Sequence, residues 1–240
     1  MQKKTVKSYD GTEIYYEIHG SAGKPILFIN GNHVARTIFK GQMSAFLKAG
    51  YQIFLMDSRM QGDSGNVKNT LEYEDMARDV VALVQAENLV RPTVLGYSDG
   101  ANVAMVTSVM FPELLGTLIL NSGDLQPKGA ILPVRIGIFF ERLWTKLIGW
   151  MTRNDRAYQV VSLMVKPTPV TLAQLAQISN PALVICGQFD FIKRSESKSI
   201  AQAIPNSTFI VAKGMTHLFL VTHPNRFNRY VLDYLTLNEA

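Results

Sequence analysis

Beyond residue 24 the chain alternates short apolar runs with longer stretches of helical periodicity. The apolar runs occupy residues 25–30, 53–57, 93–97, 118–121, 182–187 and 208–212. Each is continuously apolar rather than alternating, which predicts strands covered on both faces, as in a parallel sheet. The clearest intervening helix is expected from about Thr70, with Glu72, Glu74 and Asp75 in its first turn, where carboxylates suit the positive end of the helix dipole. Its residues Met76, Val80, Leu83 and Val84 share one face, and a last helix is expected over about 225–237. The N-terminus differs: Val6 to Tyr9 and the alternating run Glu13 to Ile18 flank Asp10-Gly11, a hairpin signal. Together these predict an α/β fold with a mainly parallel sheet flanked by helices, whose ligands bind beyond the carboxyl ends of the strands.

One stretch breaks the alternation. Residues 124–179 hold no clear strand but carry Phe139, Phe140, Trp144, Trp150, Met151 and Met164. They read as a short helical cap inserted into a core made of residues 1–123 and 180–240. The cap also carries a local basic excess: Arg135, Arg142, Lys146, Arg153, Arg156 and Lys166 against Glu141 and Asp155. Its charges are expected to form a solvated face, and most of its aromatic residues to pack onto the sheet.

Composition adds mainly exclusions. At 240 residues the chain is the size of one α/β domain. The net charge of +5 is spread out, with no basic run of the kind that binds nucleic acid. One cysteine, Cys186, rules out an intrachain disulfide and a cysteine zinc site. The first residues lack a signal-peptide core. The most apolar stretch, 131–151, is interrupted by Arg135, Glu141, Arg142 and Lys146, so stable membrane insertion is not expected. A cytoplasmic protein, monomeric or homodimeric, is the resulting expectation.

The chemistry is concentrated after the strands. Directly behind the run 93–97 stands Gly96-Tyr97-Ser98-Asp99-Gly100, followed by a helical run. This is G-x-S-x-G in the strand–turn–helix setting that makes a serine a nucleophile. Small residues on either side permit the close backbone approach of the sharp turn. A serine hydroxyl needs a base, and the base an orienting acid, in the chain order Ser, Asp/Glu, His. Of His19, His33, His217 and His223, His217 follows the last strand-like run. Asp190 follows the run 182–187 and lies between Ser98 and His217; Asp124 is the rival acid. The backbone N–H groups of Asp99 and Asn32 are the candidate oxyanion donors.

These residues together resemble the α/β-hydrolase superfamily over essentially the whole chain. Asp57-Ser58-Arg59-Met60-Gln61-Gly62-Asp63-Ser64 is similar to its D-x-R-x-x-G-x-S segment. Gly187 to Asp190 and Gly214 to His217 are similar to its acid and histidine loops. Where the family usually has His-Gly in the oxyanion loop, this chain has Asn30-Gly31. Ser98-Asp99-Gly100 resembles the elbow of biphenyl-hydrolase-like esterases. The resemblance implies the α/β-hydrolase fold and a serine hydrolase acting on a small carboxylic ester or thioester, with no cofactor and no metal. The alternatives are a C–C bond hydrolase or lyase on the same scaffold, and a non-catalytic ligand receptor. Asn32, His33, Asp99 and Trp144 are the residues expected to meet substrate.

Overall fold

The computed structural model describes residues 1–238. Eight strands form one sheet: β1 (Gln2–Lys7), β2 (Glu13–His19), β3 (Lys24–Ile29), β4 (Tyr51–Met56), β5 (Thr93–Tyr97), β6 (Leu118–Asn121), β7 (Ala182–Phe189) and β8 (Ser207–Thr216). Their spatial order is β1-β2-β4-β3-β5-β6-β7-β8. The β1–β2 and β2–β4 pairs are antiparallel, and every other pair is parallel. The expected hairpin turns at Asp10-Gly11, with Gly11 at φ +86°. Its first strand begins at Gln2, earlier than the apolar pattern indicated, because β1 is a mostly exposed edge strand with few apolar positions.

The helices are α1 (Lys40–Lys48), α2 (Tyr73–Ala86), α3 (Asp99–Met110), α4 (Leu132–Thr152), α5 (Arg156–Leu163), α6 (Leu172–Leu175), α7 (Arg194–Ala203), α8 (Phe219–Thr222) and α9 (Pro224–Asn238). Strand residues alternate between two cores. On β3, Leu27 and Ile29 join the core shared with α2, α3 and α7, while Ile26 and Phe28 join the core shared with α1, α8 and α9. Burial on both faces explains the continuous apolar runs. Helix α2 starts three residues later than expected, and Glu72 is its N-cap rather than part of its first turn.

Residues 124–179 lie between β6 and β7 and contain α4, α5 and α6. Several of the segment's cations turn inward and tie it to the rest of the fold. Arg156 Nε donates to the Met60 carbonyl (2.9 Å), and Lys166 Nζ donates to the Leu71 carbonyl (3.0 Å) and to Glu72 (2.6 Å). Arg142 donates to Ser162 and Tyr158 on α5. The expectation that the aromatic residues pack inward is corrected. Of the 21 residues of α4, Gly149 alone is buried, and Phe139, Phe140, Trp144, Trp150 and Met151 are exposed.

Candidate active site

Ser98 stands between β5 and α3, at the carboxyl end of the sheet. Its backbone is left-handed, with φ +54° and ψ −121°, a conformation a non-glycine residue holds at a cost. The surroundings enforce it: Ser98 N donates to the Asn121 carbonyl (2.8 Å) on β6, and the Ser98 carbonyl accepts from Ala101 N (2.8 Å). The flanking glycines are required by contact. A Cβ on Gly96 would lie 2.3 Å from the Gly100 carbonyl oxygen, and one on Gly100 would lie 2.1 Å from the Ile29 oxygen.

Asp190 follows β7 and His217 follows β8. Both strands run further than the sequence indicated, so the residues preceding the acid and the histidine are themselves strand, and the two side chains are aimed by neighbouring paired strands. His217 Nδ1 donates to Asp190 Oδ1 at 2.7 Å. The acid's other oxygen accepts from the Ser122 hydroxyl (2.7 Å) and the Gly187 N–H (3.3 Å), and Oδ1 also accepts from the Ile192 N–H (2.9 Å). Burial alone would raise the Asp190 pKa, but His217 and these donors outweigh it and hold the carboxyl below its usual range. Asp190 is therefore an anion able to fix the His217 tautomer and stabilise an imidazolium. His217 is buried, its ring stacked on Phe191 with centroids 3.7 Å apart and tilted on Tyr97 at 5.1 Å.

The candidate oxyanion loop passes close to the serine. A Cβ on Gly31 would lie 3.0 Å from Ser98 Cβ and 2.9 Å from the Tyr97 carbonyl oxygen, so the loop approaches this closely because residue 31 lacks a side chain. Asn30, in place of the family's usual histidine, braces the loop: its amide donates to the Gly31 and Val34 carbonyls and its oxygen accepts from Ser58 N (2.8 Å). Asp99 is the first residue of α3, so its N–H has no acceptor within the helix. The Asn32 amide donates to Asp99 Oδ2 (2.8 Å) and to the Val160 carbonyl (2.9 Å), linking the loop to α3 and to α5.

The remaining positions diverge. The Asp99 side chain is buried and accepts from Tyr73 (2.8 Å) and Asn102 (3.1 Å) as well as from Asn32. Burial nevertheless pushes its pKa up. Asp124, the rival acid, bonds Asn102 (3.1 Å) rather than a histidine. His33 faces Glu141 at 3.4 Å and lines a groove of about 700 Å³ between α4, α5 and the loops after β3 and β4. Trp144 is not brought to the serine: it lies on the outer side of α4, 64% exposed, and does not line the cavity over Ser98. That cavity measures about 40 Å³ and is bounded by Tyr73, Asp99, Asp124, Met164 and Phe191, together with Val134 and Ile138 of α4. It has room for a few waters. Sequence reasoning missed Ser122, Phe191 and Tyr73. The first sits at φ +58° immediately after β6, a placement with no signal in an isolated serine.

Asp124 makes a prediction about stability. Burial, then the charge of Asp99, raises its pKa to about 7. Between the ordinary carboxylate range and about 7 the folded chain holds a proton that the unfolded chain has released. Stability therefore falls as pH rises through that window. Asp124→Asn, which cannot ionise, reduces this fall. Urea midpoints at about pH 5 and about pH 8 measure it, and an unchanged difference between them would contradict the assignment.

The family profile described as alpha/beta hydrolase fold matches residues 24–162, more than half of the chain. The chain belongs to the alpha/beta hydrolase fold family. Among relatives, it is 25% identical over 266 residues to a 2-hydroxy-6-oxononadienedioate/2-hydroxy-6-oxononatrienedioate hydrolase of Burkholderia vietnamiensis, covering 94% of this chain and 92% of that protein. Among solved structures of this hydrolase fold, it is similar to an esterase from Exiguobacterium antarcticum (TM-score 0.83, 19% identity, 98% of this chain and 100% of that one). It is also similar to a meta-cleavage product hydrolase from Pseudomonas fluorescens IP01 (TM-score 0.79, 17% identity, 97% of each chain). These hydrolases cut different bonds on one scaffold, so the bond is a question for the site rather than the fold.

Proposed function

We propose that this chain hydrolyses a small carboxylic ester through an acyl-enzyme on Ser98. The observation that carries the reading is the left-handed Ser98 at the α3 N-terminus, on the same carboxyl edge of the sheet as His217 and Asp190, which are joined at 2.7 Å. His217 takes the Ser98 hydroxyl proton as the oxygen attacks the ester carbonyl. The N–H groups of Asp99 and Asn32 receive the oxyanion. Collapse breaks the ester C–O bond, and the imidazolium returns its proton to the departing alkoxide. A water deprotonated by His217 then releases the acid and restores the serine.

C–C bond hydrolysis is the second reading, favoured by the Burkholderia relative. The substrate named for that relative is a dicarboxylate. The lining around Ser98 carries Asp99 and Asp124, and its lysine, Lys166, is engaged by Glu72 and the Leu71 carbonyl. The lining therefore offers a dianion no unengaged cation, which supports the ester reading.

The test is pre-steady-state kinetics with p-nitrophenyl acetate and butyrate beside a meta-cleavage dienoate. A stoichiometric burst of nitrophenol with slower turnover is expected, together with no consumption of the dienoate. Turnover of the dienoate without an ester burst would overturn the proposal.

A further inference from the structure

Helix α4 is 21 residues long, and 16 of them are exposed. It rests on the fold along a thin stripe: Val134, Ile138, Arg142, Thr145 and the buried Gly149. The rest of its circumference is unusually apolar for a surface. Ile136, Phe140, Leu143, Trp144, Leu147 and Trp150 are each between 47% and 80% exposed. At 3.6 residues per turn they fall within an arc of about 120°. A contiguous exposed apolar face of this kind marks something that covers it.

The charges indicate what. Arg135 and Lys146 project from the flank of the helix adjoining that arc, Arg153 caps its C-terminus, and none of the three has an acidic partner among the described residues. The helix's one acid, Glu141, lies across the arc from them, against His33. An apolar face with aromatic side chains and a basic border is the pattern of a helix lying in a lipid–water interface, with tryptophans at headgroup depth. A second copy of the chain fits less well. In an antiparallel two-fold pairing of α4 the two basic flanks fall on the same side and repel, within a pair in which each chain already carries +5. No helix among the described residues is long and apolar enough to cross a membrane, so the contact is parallel to the surface.

We infer that the outer face of α4 docks the protein onto an anionic lipid surface, with Phe140, Leu143, Trp144 and Trp150 in the interface and Arg135, Lys146 and Arg153 among the headgroups. The inner stripe of the same helix, at Val134 and Ile138, lines the cavity over Ser98, so docking sets the roof of the site against the lipid. The inference is independent of the proposed reaction, since its test uses no substrate.

The protein contains two tryptophans, Trp144 and Trp150, and both lie on this face. Tryptophan fluorescence, excited on the red edge where tyrosine does not absorb, therefore reports on α4 alone. The full chain is titrated with phosphatidylcholine vesicles and with phosphatidylcholine–phosphatidylglycerol vesicles, and flotation is measured in parallel. A blue shift and flotation are expected with the anionic vesicles, weakening as salt rises, with little of either on phosphatidylcholine alone. Arg135→Gln and Lys146→Gln should each weaken binding about fivefold, and Phe140→Ser with Leu143→Ser should abolish the blue shift. All of these positions are solvent-facing, so unchanged circular dichroism is expected for the variants. Three results would overturn the inference: no shift with either vesicle, equal binding to neutral and anionic vesicles, or a wild-type dimer in sedimentation that Phe140→Ser with Leu143→Ser dissociates.

Discussion

Ser98→Ala is expected to lower kcat for any ester the protein turns over by a factor of about 10⁴ to 10⁶. The substitution removes one side-chain oxygen from a residue whose backbone the Asn121 carbonyl and Ala101 N–H already hold, so the turn around it persists. Its effect is therefore on chemistry and not on folding. Affinity for the ester should change little, because the loop at Gly31 and the cavity walls are untouched, while KM should rise toward Kd as the acyl-enzyme no longer accumulates. His217→Ala should give a loss of similar size, and the double variant should be no worse than either single one, because the groups act as a unit. Full progress curves on the best nitrophenyl ester provide the measurement. Losses that multiply in the double variant would mean that Ser98 and His217 work separately.

The second large effect falls on stability, at Arg59. This guanidinium is fully buried, with Nε and Nη2 donating to the two oxygens of the equally buried Asp79 (2.8 and 2.6 Å) and Nη1 donating to Asp10 (2.8 Å). It joins the turn of the N-terminal hairpin to α2. Arg59→Leu leaves Asp79 without its cation and should cost about 3 to 5 kcal/mol. Burial already raises the Asp79 pKa, with Arg59 opposing. Without Arg59 the carboxyl rises further, and the loss should grow with pH as the unfolded chain sheds a proton that the folded one keeps. Urea unfolding of Arg59→Leu and of Arg59→Leu with Asp79→Leu measures this. The double variant should recover part of the loss, and a double variant less stable than the single one would contradict the account. The D-x-R-x-x-G-x-S segment is in this respect structural. Asp57 likewise binds Arg36 and receives the Asp63 N–H (2.9 Å), and Gly62 at φ +51° leaves room for the Asp57 carboxylate.

The strands were legible because burial on both faces leaves continuous apolar runs, and Ser98, Asp190 and His217 were legible because each follows one of them. What failed to show in the sequence depends on direction rather than identity. The apolar residues of α4 have the composition of a packed helix, and composition does not say which way a side chain points. Their spacing did hold that information: Ile136, Phe140, Leu143, Leu147 and Trp150 repeat on one face, while the stripe that touches the fold is Val134, Ile138, Arg142 and Gly149. The chemistry of Trp144 suits a pocket, yet its position next to Leu143 and one turn after Phe140 puts it on the outer side. Half of the basic excess behaved similarly. Arg142, Arg156 and Lys166 reach partly buried acceptors, and their partners lie too far along the chain for local pattern to reveal. Asn30 carries a related lesson. A different side chain from the family's usual one holds the same loop through three hydrogen bonds of its own.

The central claim is that Ser98 is an activated nucleophile, and covalent labelling tests it most directly. The protein is incubated with a fluorophosphonate at neutral pH, digested, and the modified peptide identified by mass spectrometry. One adduct on Ser98 is predicted, formed far more slowly when His217 is alanine and absent in Ser98→Ala. An unlabelled wild type, or an adduct on another serine with Ser98 intact, would contradict the claim.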